Sequence, residues 1–399
     1  MIQTRSAAEL RVEVTADDPS AHRDRQASVV AGTIMALALG FCGNLHAQGL
    51  SETLGGIDFN VGGFGTYGGV VTTTNDAQFV RNGQYSGATK SPSDKVDTNL
   101  GVQFTARANS WLSATIQVLD QEGLSESQMT ASLEWGFVKI EPVNGLAVKL
   151  GRYLAPVFLI SDTRNINYSN TWVRAPNEVY ALAGLGDVDG GEATYRIPLG
   201  AGHLVVTGFT GNGKIEGQTS QSTVNVYDIH GGEVRWDIDW LTLRAGYDRE
   251  RNILSANGVY DTYTFSGLGA VVDRNNFIAQ IEVVSRRSSS YEMYVNANGW
   301  YALAGYRFGK LTPYAYHAQT TREQPVSPYF GLSFDQKTTA VGLRWDAFSA
   351  ADFKFQLERV DPNGTPGISL ANAGNFPSIS PSLGNREVNV ASITLDFVF

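Results

Sequence analysis

The most constraining feature of the sequence is its last stretch, in which apolar residues occupy every second position up to the final residue. Counting back from Phe399, this row contains Phe397, Leu395, Ile393 and Ala391. Strict alternation is typical of a β-strand with one face in apolar surroundings. The open edge of such a strand is a liability in lipid, and it disappears when the last strand pairs with the first. The ending therefore predicts a closed β-barrel that spans a membrane.

The first 47 residues have the composition of an export signal. Arg23 and Arg25 precede an apolar run over 27–42, and Ala47 is a small residue at the expected position of a cleavage site. The run is shorter than the about 20 apolar residues that a spanning helix needs. We therefore predict a signal peptide with an N-terminal extension over 1–47 and a barrel over 48–399.

Composition argues against several other classes of protein. Residues 48–399 contain no cysteine, which excludes a disulfide framework and a Cys-based metal site. The chain has 39 Asp and Glu against 30 Lys and Arg, a balance that argues against a nucleic-acid partner. His203, His230 and His317 are far apart, without metal-ligand spacing and without a nearby Ser partner. We expect neither a metal nor another cofactor, and we expect no enzymatic activity.

Runs of alternating polarity recur at regular spacing between residue 57 and the end. The connections between them are alternately short, with turn residues such as Asn144-Gly145, and long, with polar and Gly-rich sequences. This asymmetry predicts an all-β, antiparallel transmembrane barrel with short periplasmic turns and long extracellular loops. The sixteen predicted strands are 57–71, 97–109, 111–120, 130–141, 146–154, 191–198, 202–211, 223–238, 240–249, 260–272, 275–286, 299–309, 311–321, 336–347, 351–360 and 387–399.

Charged residues indicate which face of each strand points inward. Leu241 and Leu243 alternate with Thr242 and Arg244, and the same pattern recurs in 339–346 and 352–358. A basic residue that faces lipid near the midplane costs about 2–4 kcal/mol. The charged faces are therefore predicted to line the lumen, which would be a water-filled channel.

Three features resemble the sixteen-stranded general porins of Gram-negative bacteria. They are the terminal aromatic strand, the alternation of loops and turns, and the sequence VKLGRYLAP at 148–156, which is similar to the porin signature at the start of the third loop. The resemblance covers essentially the whole chain after the signal. It implies a homotrimeric channel of the cell outer membrane for passive diffusion of small hydrophilic solutes and ions. Its implied partners are outer-membrane lipid, lipopolysaccharide and the barrel-assembly machinery, and Phe399 is implied to belong to the assembly signal.

The third long connection, 155–190, is the longest and is unusually apolar and aromatic. Exposed to water, it would form a large apolar patch, so we predict that it folds into the lumen and constricts the pore. Its predicted acidic constriction residues are Asp162, Glu178, Asp187 and Asp189. The basic residues predicted to face it from the lumen wall are Arg107, Lys149, Arg196, Arg235, Arg244, Arg307 and Arg344. Opposed charges across a narrow gap favour polar solutes over apolar ones.

Other interpretations stay open at this point. The basic wall also fits a substrate-specific uptake channel for an organic anion such as a dicarboxylate, and an outer-membrane hydrolase or adhesin is a different class altogether. The Gly63–Gly68 segment fits G-x-G-x-x-G but lacks the βαβ context of a dinucleotide site. We interpret its glycines as allowing close approach of a neighbouring subunit.

Overall fold

The structure is a computed structural model that describes residues 49–124, 127–183, 186–215, 224–254, 258, 260–290, 295–323, 335–362, 368–371, 383 and 386–399. The predicted signal peptide, 1–47, lies outside these residues. The strands are β1 (Leu50–Leu54), β2 (Ile57–Thr72), β3 (Gln78–Phe79), β4 (Asn99–Arg107), β5 (Leu112–Glu122), β6 (Met129–Val143), β7 (Leu146–Leu154), β8 (Asp187–Leu199), β9 (Gly202–Ile215), β10 (Val224–Ile238), β11 (Leu241–Leu254), β12 (Tyr260–Arg274), β13 (Phe277–Ser288), β14 (Ala297–Tyr306), β15 (Leu311–Arg322), β16 (Gln336–Trp345), β17 (Ala351–Asp361), β18 (Leu370–Ala371) and β19 (Val388–Val398).

Short helices occupy the connection between β7 and β8. Two are 3₁₀ turns at Ser161–Thr163 and Asn167–Ser169, and the third is one α-helical turn at Asn177–Tyr180. No helix in the described part of the chain is long and apolar enough to cross a membrane.

Sixteen strands, β2, β4–β17 and β19, form one closed antiparallel barrel. Each pairs with the next, and the last, β19, pairs with the first, β2, from Val390↔Thr72 to Val398↔Phe64. The sixteen predicted strands are confirmed, with ends that shift by up to five residues. Strand β1 was not predicted, and it forms a hairpin with the start of β2 through Gly55 and Gly56, which have φ values of 61° and 82°.

The predicted assignment of the two strand faces is confirmed. On β11, Leu243 is 41% exposed on the outside, whereas the neighbouring Arg244 is 4% exposed inside. On β17, Phe355 is 44% exposed and Lys354 is fully buried. At these positions the outer surface is therefore apolar, as contact with lipid requires, and the charged side chains point into the barrel.

Two glycines of β2 have an intrachain role that was not predicted. The ring of Phe397 lies over Gly65 and the ring of Phe399 lies over Gly63, so that a Cβ at either glycine would collide with an aromatic ring. The two glycines thus make room for aromatic rings of the same chain. The C-terminal aromatic residues are seated on the strand with which they close the barrel.

The main hydrophobic core lies inside the barrel, not between two layers. It is formed by the connection after β7 together with inward-facing aromatic residues such as Tyr263, Tyr301 and Tyr316. A second, smaller core forms where Phe79 and Leu370 of the short β3–β18 sheet pack near the ends of β2 and β19. The smaller core lies at the end of the barrel that carries the long loops.

Candidate pore constriction

The connection after β7, 155–186, is here called the lumen loop, and its described residues, 155–183 and 186, lie against the inner wall of the barrel. It ends at Gly186, four residues earlier than predicted, because β8 pairs with β7 as far as Leu154↔Asp187. Backbone amides of the loop donate hydrogen bonds to wall side chains: Leu159 to Glu282 at 2.8 Å and Val173 to Gln356 at 3.2 Å.

Aromatic rings fix the loop to the wall formed by the inward faces of β12–β17 and β19, here called the covered wall. Phe158 lies 5.2 Å from the ring of Phe265, and Trp172 lies 5.1 Å from Tyr301, both edge to face. The apolar content of the loop, which predicted a position inside the barrel, is explained by these contacts. Edge-to-face pairs add about 0.5–1.5 kcal/mol each beyond the burial of their area.

Arg174 is the main charged anchor of the loop. Its Nε and Nη2 donate to the two carboxylate oxygens of Asp97 at 2.8 and 2.6 Å, and its Nη1 donates to Glu358. The guanidinium is 5% exposed and lies 5.0 Å from the centre of the Phe79 ring. Burial alone would lower the pKa of Arg174, but the two carboxylates raise it above its ordinary value, so the group stays charged.

Basic residues of the wall hold the backbone of the loop. Arg344 Nη1 donates to the carbonyl oxygens of Tyr168 at 2.7 Å and Asn170 at 2.9 Å. Lys354 Nζ donates to the carbonyl oxygen of Asn167 at 2.6 Å, and Arg244 donates to that of Pro156. These contacts differ from the prediction of a wetted wall, because the side chains lie beneath the loop.

Two other long loops bind the lumen loop from the side of the barrel mouth. Asn177 Nδ2 donates to the carbonyl oxygen of Val80 at 3.1 Å and to Ser369 Oγ at 2.9 Å. Gln336 Nε2 donates to the same Ser369 oxygen at 2.8 Å and to Glu178 at 2.7 Å. The segments after β2, β7 and β17 are therefore interlocked.

The predicted acidic residues do not form one array. Asp162 stays on the loop, in the first 3₁₀ turn, and Glu178 is buried against Gln336 and Thr338 of the wall. Asp187 and Asp189 were wrongly placed in the loop. They belong to β8. Successive residues of a strand point to opposite faces, so Asp189 and Glu192, three positions apart, lie on different faces. Glu192 is buried and points inward, and Asp189 therefore points outward.

Both of these aspartates bind Arg152, which also lies on the outer face. Its Nε and Nη2 each lie 2.8 Å from an oxygen of Asp189, and its Nη1 lies 3.5 Å from Asp187. The outer face near the start of β8 therefore carries two carboxylates for one guanidinium.

Most of the predicted basic wall residues form ion pairs with acids of the same wall. The pairs are Lys149–Glu192 at 2.8 Å, Arg235–Asp237 at 2.9 Å, Arg244–Glu233 at 2.7 Å, Arg307–Asp273 at 2.6 Å and Arg344–Asp346 at 2.8 Å. Arg107 and Arg196 have no carboxylate within 4 Å among the residues that the structure describes. The wall is therefore closer to neutral than its count of basic residues suggests.

A polar gap remains between the lumen loop, the segment after β2 and the tops of β4 and β5. It has a volume of about 210 Å³ and is lined by Arg81 and Asn99, by Gln121 at the top of β5, and by Arg164, Asn165 and Asn167 of the lumen loop. Asn99 Nδ2 donates to the carbonyl oxygen of Asn165 at 3.1 Å, and Asn165 Nδ2 donates to Glu134 at 2.6 Å. These bonds fix the loop side of the gap to strands β4 and β6.

The charge and the hydrogen-bonding capacity of the gap are only partly satisfied. Within the described ranges, neither Arg81 nor Arg164 has a carboxylate within 4 Å. Asn99 Oδ1 and Gln121 Oε1 are buried and accept no hydrogen bond from the described residues. Three residues of the gap, Arg81, Asn99 and Gln121, were not predicted from the sequence. The inward position of Asn99 and Gln121 in the alternation of their strands was the available signal, whereas Arg81 lies in an irregular loop.

No family model and no curated protein matches the sequence. Solved structures do match the fold. Salmonella typhi OmpF in complex with daunomycin has a TM-score of 0.59 and 16% identity, covering 88% of this chain and 100% of that one. The anion-selective porin from Comamonas acidovorans has a TM-score of 0.57 and 13% identity over 86% and 100%. The trimer form of OmpT, an outer-membrane protein of Vibrio cholerae, has a TM-score of 0.55 and 11% identity over 86% and 99%.

These similarities and the closed sixteen-stranded barrel agree in topology and extent. They span almost the whole length of each solved chain, and the lumen loop occurs in the connection where the porin-like sequence at 148–156 predicted it. The chain therefore has the fold of these solved structures, a closed sixteen-stranded antiparallel β-barrel.

Proposed function

We propose that the protein is a passive channel for small hydrophilic solutes and ions across the outer membrane, and not an enzyme. The observation that most supports this function is the polar gap beside the lumen loop. Its guanidinium and amide groups replace part of the hydration of a polar solute, whereas an apolar solute gains nothing from them. The loop narrows the barrel at this level, so it limits the size of what passes.

Deletion of residues 165–171 tests this function. If the loop narrows the channel, the deletion raises single-channel conductance in planar bilayers and admits larger sugars in a liposome-swelling assay. Heat-modifiable mobility on gels serves as the folding control. A folded deletion variant with unchanged conductance and unchanged sugar cut-off would contradict the proposal.

A preference for organic anions is the second candidate, and a specific observation favours it. Arg81 and Arg164 line the gap and have no carboxylate within 4 Å among the described residues, while Arg81 also donates to the carbonyl oxygens of Val96 and Glu122. A solute with a carboxylate would pair with these guanidinium groups, because guanidinium binds carboxylate.

The reversal potential under a salt gradient tests the anion preference. The wild type is expected to select anions, and the double variant Arg81→Gln/Arg164→Gln should shift the reversal potential toward cations. The shift should shrink at high salt, since the Debye length falls from about 10 Å at 0.1 M to about 3 Å at 1 M. Arg196→Gln, near the short-turn end of the lumen, is the matched control. Equal shifts of the reversal potential in the double variant and in Arg196→Gln would argue against a site at the gap.

We also propose that the channel is a homotrimer whose assembly requires Phe399. The seating of the Phe399 ring on Gly63 supports a role of this side chain in barrel closure. Phe399→Asp should abolish heat-modifiable oligomer in the outer-membrane fraction, because a carboxylate cannot replace the ring at the lipid-facing seam. Normal oligomer from this variant would refute the assembly role.

A further inference from the structure

Part of the lumen wall is built from neutral side chains. On the inward faces of β4, β5 and β6, direct register pairs connect Gln103 to Gln117 and Gln117 to Trp135, and, closer to the short turns, Thr105 to Thr115 and Thr115 to Phe137. Paired residues share one face of a sheet. The residue between the two β5 positions, Ile116, is 51% exposed on the outer face, so the paired residues point into the lumen. We call these six residues the neutral sector.

The neutral sector lies beneath the polar gap. Gln121 of β5 lines the gap, and Gln117 lies four residues further toward the short-turn end, which is about 13 Å along the strand. Below the sector follows Lys139, whose side chain is 31% exposed, so water reaches the lumen wall at this level. A solute that moves inward from the gap therefore meets these six side chains before it reaches the short-turn end.

Two aromatic rings of the sector border the lumen. The ring centres of Trp135 and Phe137 are 6.5 Å apart with an angle of 37° between the ring planes, and both side chains are partly exposed. Aromatic residues that fill the core of this barrel are buried, as the 2% exposure of Trp172 and the 0% exposure of Tyr301 show. Phe137 also packs on the edge of the main core. Trp135 therefore offers the larger free apolar surface to a solute.

Polar groups beside the rings have hydrogen-bonding capacity to spare. Gln103 is partly exposed, and in the described ranges neither its side-chain amide nor that of Gln117 makes a hydrogen bond to another residue. Each amide supplies two donor hydrogens and one acceptor oxygen. Thr105 Oγ1 and Thr115 Oγ1 are 3.2 Å apart and share one hydrogen bond, which leaves acceptor capacity on both hydroxyl oxygens. The sector thus combines neutral donors and acceptors with an apolar ring face.

The neighbouring part of the lumen wall, on β7–β11, differs in carrying fixed charges. Its ion pairs are Lys149–Glu192 at 2.8 Å, Arg235–Asp237 at 2.9 Å and Arg244–Glu233 at 2.7 Å. Fixed charges attract ions and charged solutes. The neutral sector instead suits a solute that has uncharged hydroxyl groups next to an apolar face, because such a solute displaces no counter-ion there.

We propose that the neutral sector is a binding site for the ring of a neutral sugar. The C–H face of a pyranose ring packs on Trp135, while its hydroxyl groups exchange hydrogen bonds with Gln103 and Thr105. A few oriented polar groups beside an aromatic surface are the usual composition of a small-molecule site. This assignment rests on the proposed channel function and adds a class of solute to it. The preference for organic anions concerns the gap above and is independent of this site.

Single-channel recordings in planar bilayers test the proposal, with glucose as the probe and sorbitol as the reference solute. Sorbitol is the open-chain polyol of the same carbon skeleton and has no ring face. Glucose should lower the conductance of the wild type with saturation, whereas sorbitol should lower it only in proportion to the viscosity of the solution. Trp135→Ala should raise the half-blocking glucose concentration about tenfold, and Trp135→Phe, which keeps an aromatic face, should stay within about threefold of the wild type.

Trp236→Ala is the matched control, because Trp236 lies on the outer face of β10 in register with Leu243. The indole nitrogens of Trp135 and Trp236 are both buried without a hydrogen-bond partner among the described residues, so neither substitution removes such a bond. Trp236→Ala should leave the half-blocking concentration unchanged. If Trp135→Ala lacks heat-modifiable mobility, Trp135→Leu takes its place, since leucine fills more of the volume without an aromatic face.

Three results would each overturn the sugar site while leaving the channel function intact. They are equal effects of glucose and sorbitol on a conducting wild type, an unchanged half-blocking concentration in the folded Trp135 variant, and an equal change in Trp236→Ala. A folded wild type that forms no conducting channel would contradict the proposed channel function and, with it, the sugar site.

Discussion

The inward faces of β12–β17 and β19 and the inward faces of β4–β10 both carry many charged residues, yet these residues have different surroundings. On the covered wall, Lys354, Glu282 and Gln356 are at most 1% exposed and bind the lumen loop. On the opposite, open wall, Lys139 and Arg235 keep about a third of their side-chain surface in water and pair with neighbouring acids. Charge thus supports folding on one wall and borders the solute path on the other.

The largest loss of stability on the covered wall is expected from substitution of Arg174. Arg174→Gln leaves Asp97 and Glu358 buried without their cation, a loss that costs about 3–5 kcal/mol. The lumen loop should come off the covered wall, with a higher single-channel conductance and a lower thermal unfolding midpoint. Arg164→Gln, on the gap side of the same loop, should stay within about 0.5 kcal/mol of the wild type. Equal effects of the two substitutions would show that the anchoring is not confined to the covered wall.

A smaller effect is expected at Arg344, which holds two loop carbonyls. Arg344→Gln should cost about 1.5–3 kcal/mol, the range for hydrogen bonds to charged groups. Its expected signature is increased current noise, because the segment around Tyr168 and Asn170 loses its clamp. Arg307→Gln removes the same charge from an exposed pair with Asp273, worth about 0–1 kcal/mol. If Arg307→Gln is as noisy as Arg344→Gln, the noise arises from wall charge and not from the loop.

Cysteine labelling can measure the difference in solvent access between the two walls with little change in stability. A charged thiol reagent should modify Lys139→Cys on the open wall and leave Gln356→Cys on the covered wall unmodified in the folded protein. Leu243→Cys should also resist modification in membranes, since lipid covers it. Rapid modification of Gln356→Cys would mean that the loop leaves the wall frequently.

The smallest expected effect is a pH dependence of loop docking through Glu178. Burial raises the pKa of Glu178 above its ordinary value of 4.5, although Gln336 and Thr338 donate hydrogen bonds that act in the opposite direction. The docked loop therefore holds this proton more tightly than a free loop does, and docking weakens as pH rises above about 4.5. Conductance should increase slightly over that range, and Glu178→Gln should flatten the dependence. An unchanged profile in the variant would assign the effect to another group.

Much of the barrel could be predicted from the sequence, because a strand reports its faces through a period of two residues. Leu243 and Arg244 were assigned to the correct faces in this way. The end of the lumen loop was misplaced because Gly190 resembles a loop residue, although it lies within β8. Following the alternation of faces back along the strand from the inward Glu192 would have predicted that Asp189 points outward.

The partners of the inward charges could not be predicted. Parity gives the face of a residue but neither its height nor its position around the barrel, and Arg174 meets Asp97 across 77 residues of sequence. The position of Arg81 depends on how the segment after β2 folds, and that segment has no regular period. The structure therefore has local ion pairs and loop anchors at the positions where opposed charge arrays across the pore were predicted.

The contacts of Ser369 with the lumen loop limit which substitutions the outer loops can accept during evolution. Loops that face the surroundings of a cell are exposed to antibodies and bacteriophages, and substitutions in them are usually tolerated well. Ser369 is an exception, because it is 2% exposed and shares its hydroxyl with Asn177 and Gln336. A substitution there weakens the support of the lumen loop and should change permeability, although this side chain offers an antibody no surface. Diversification should therefore be restricted at Ser369 and freer at positions of the same loop that make no contact with the lumen loop.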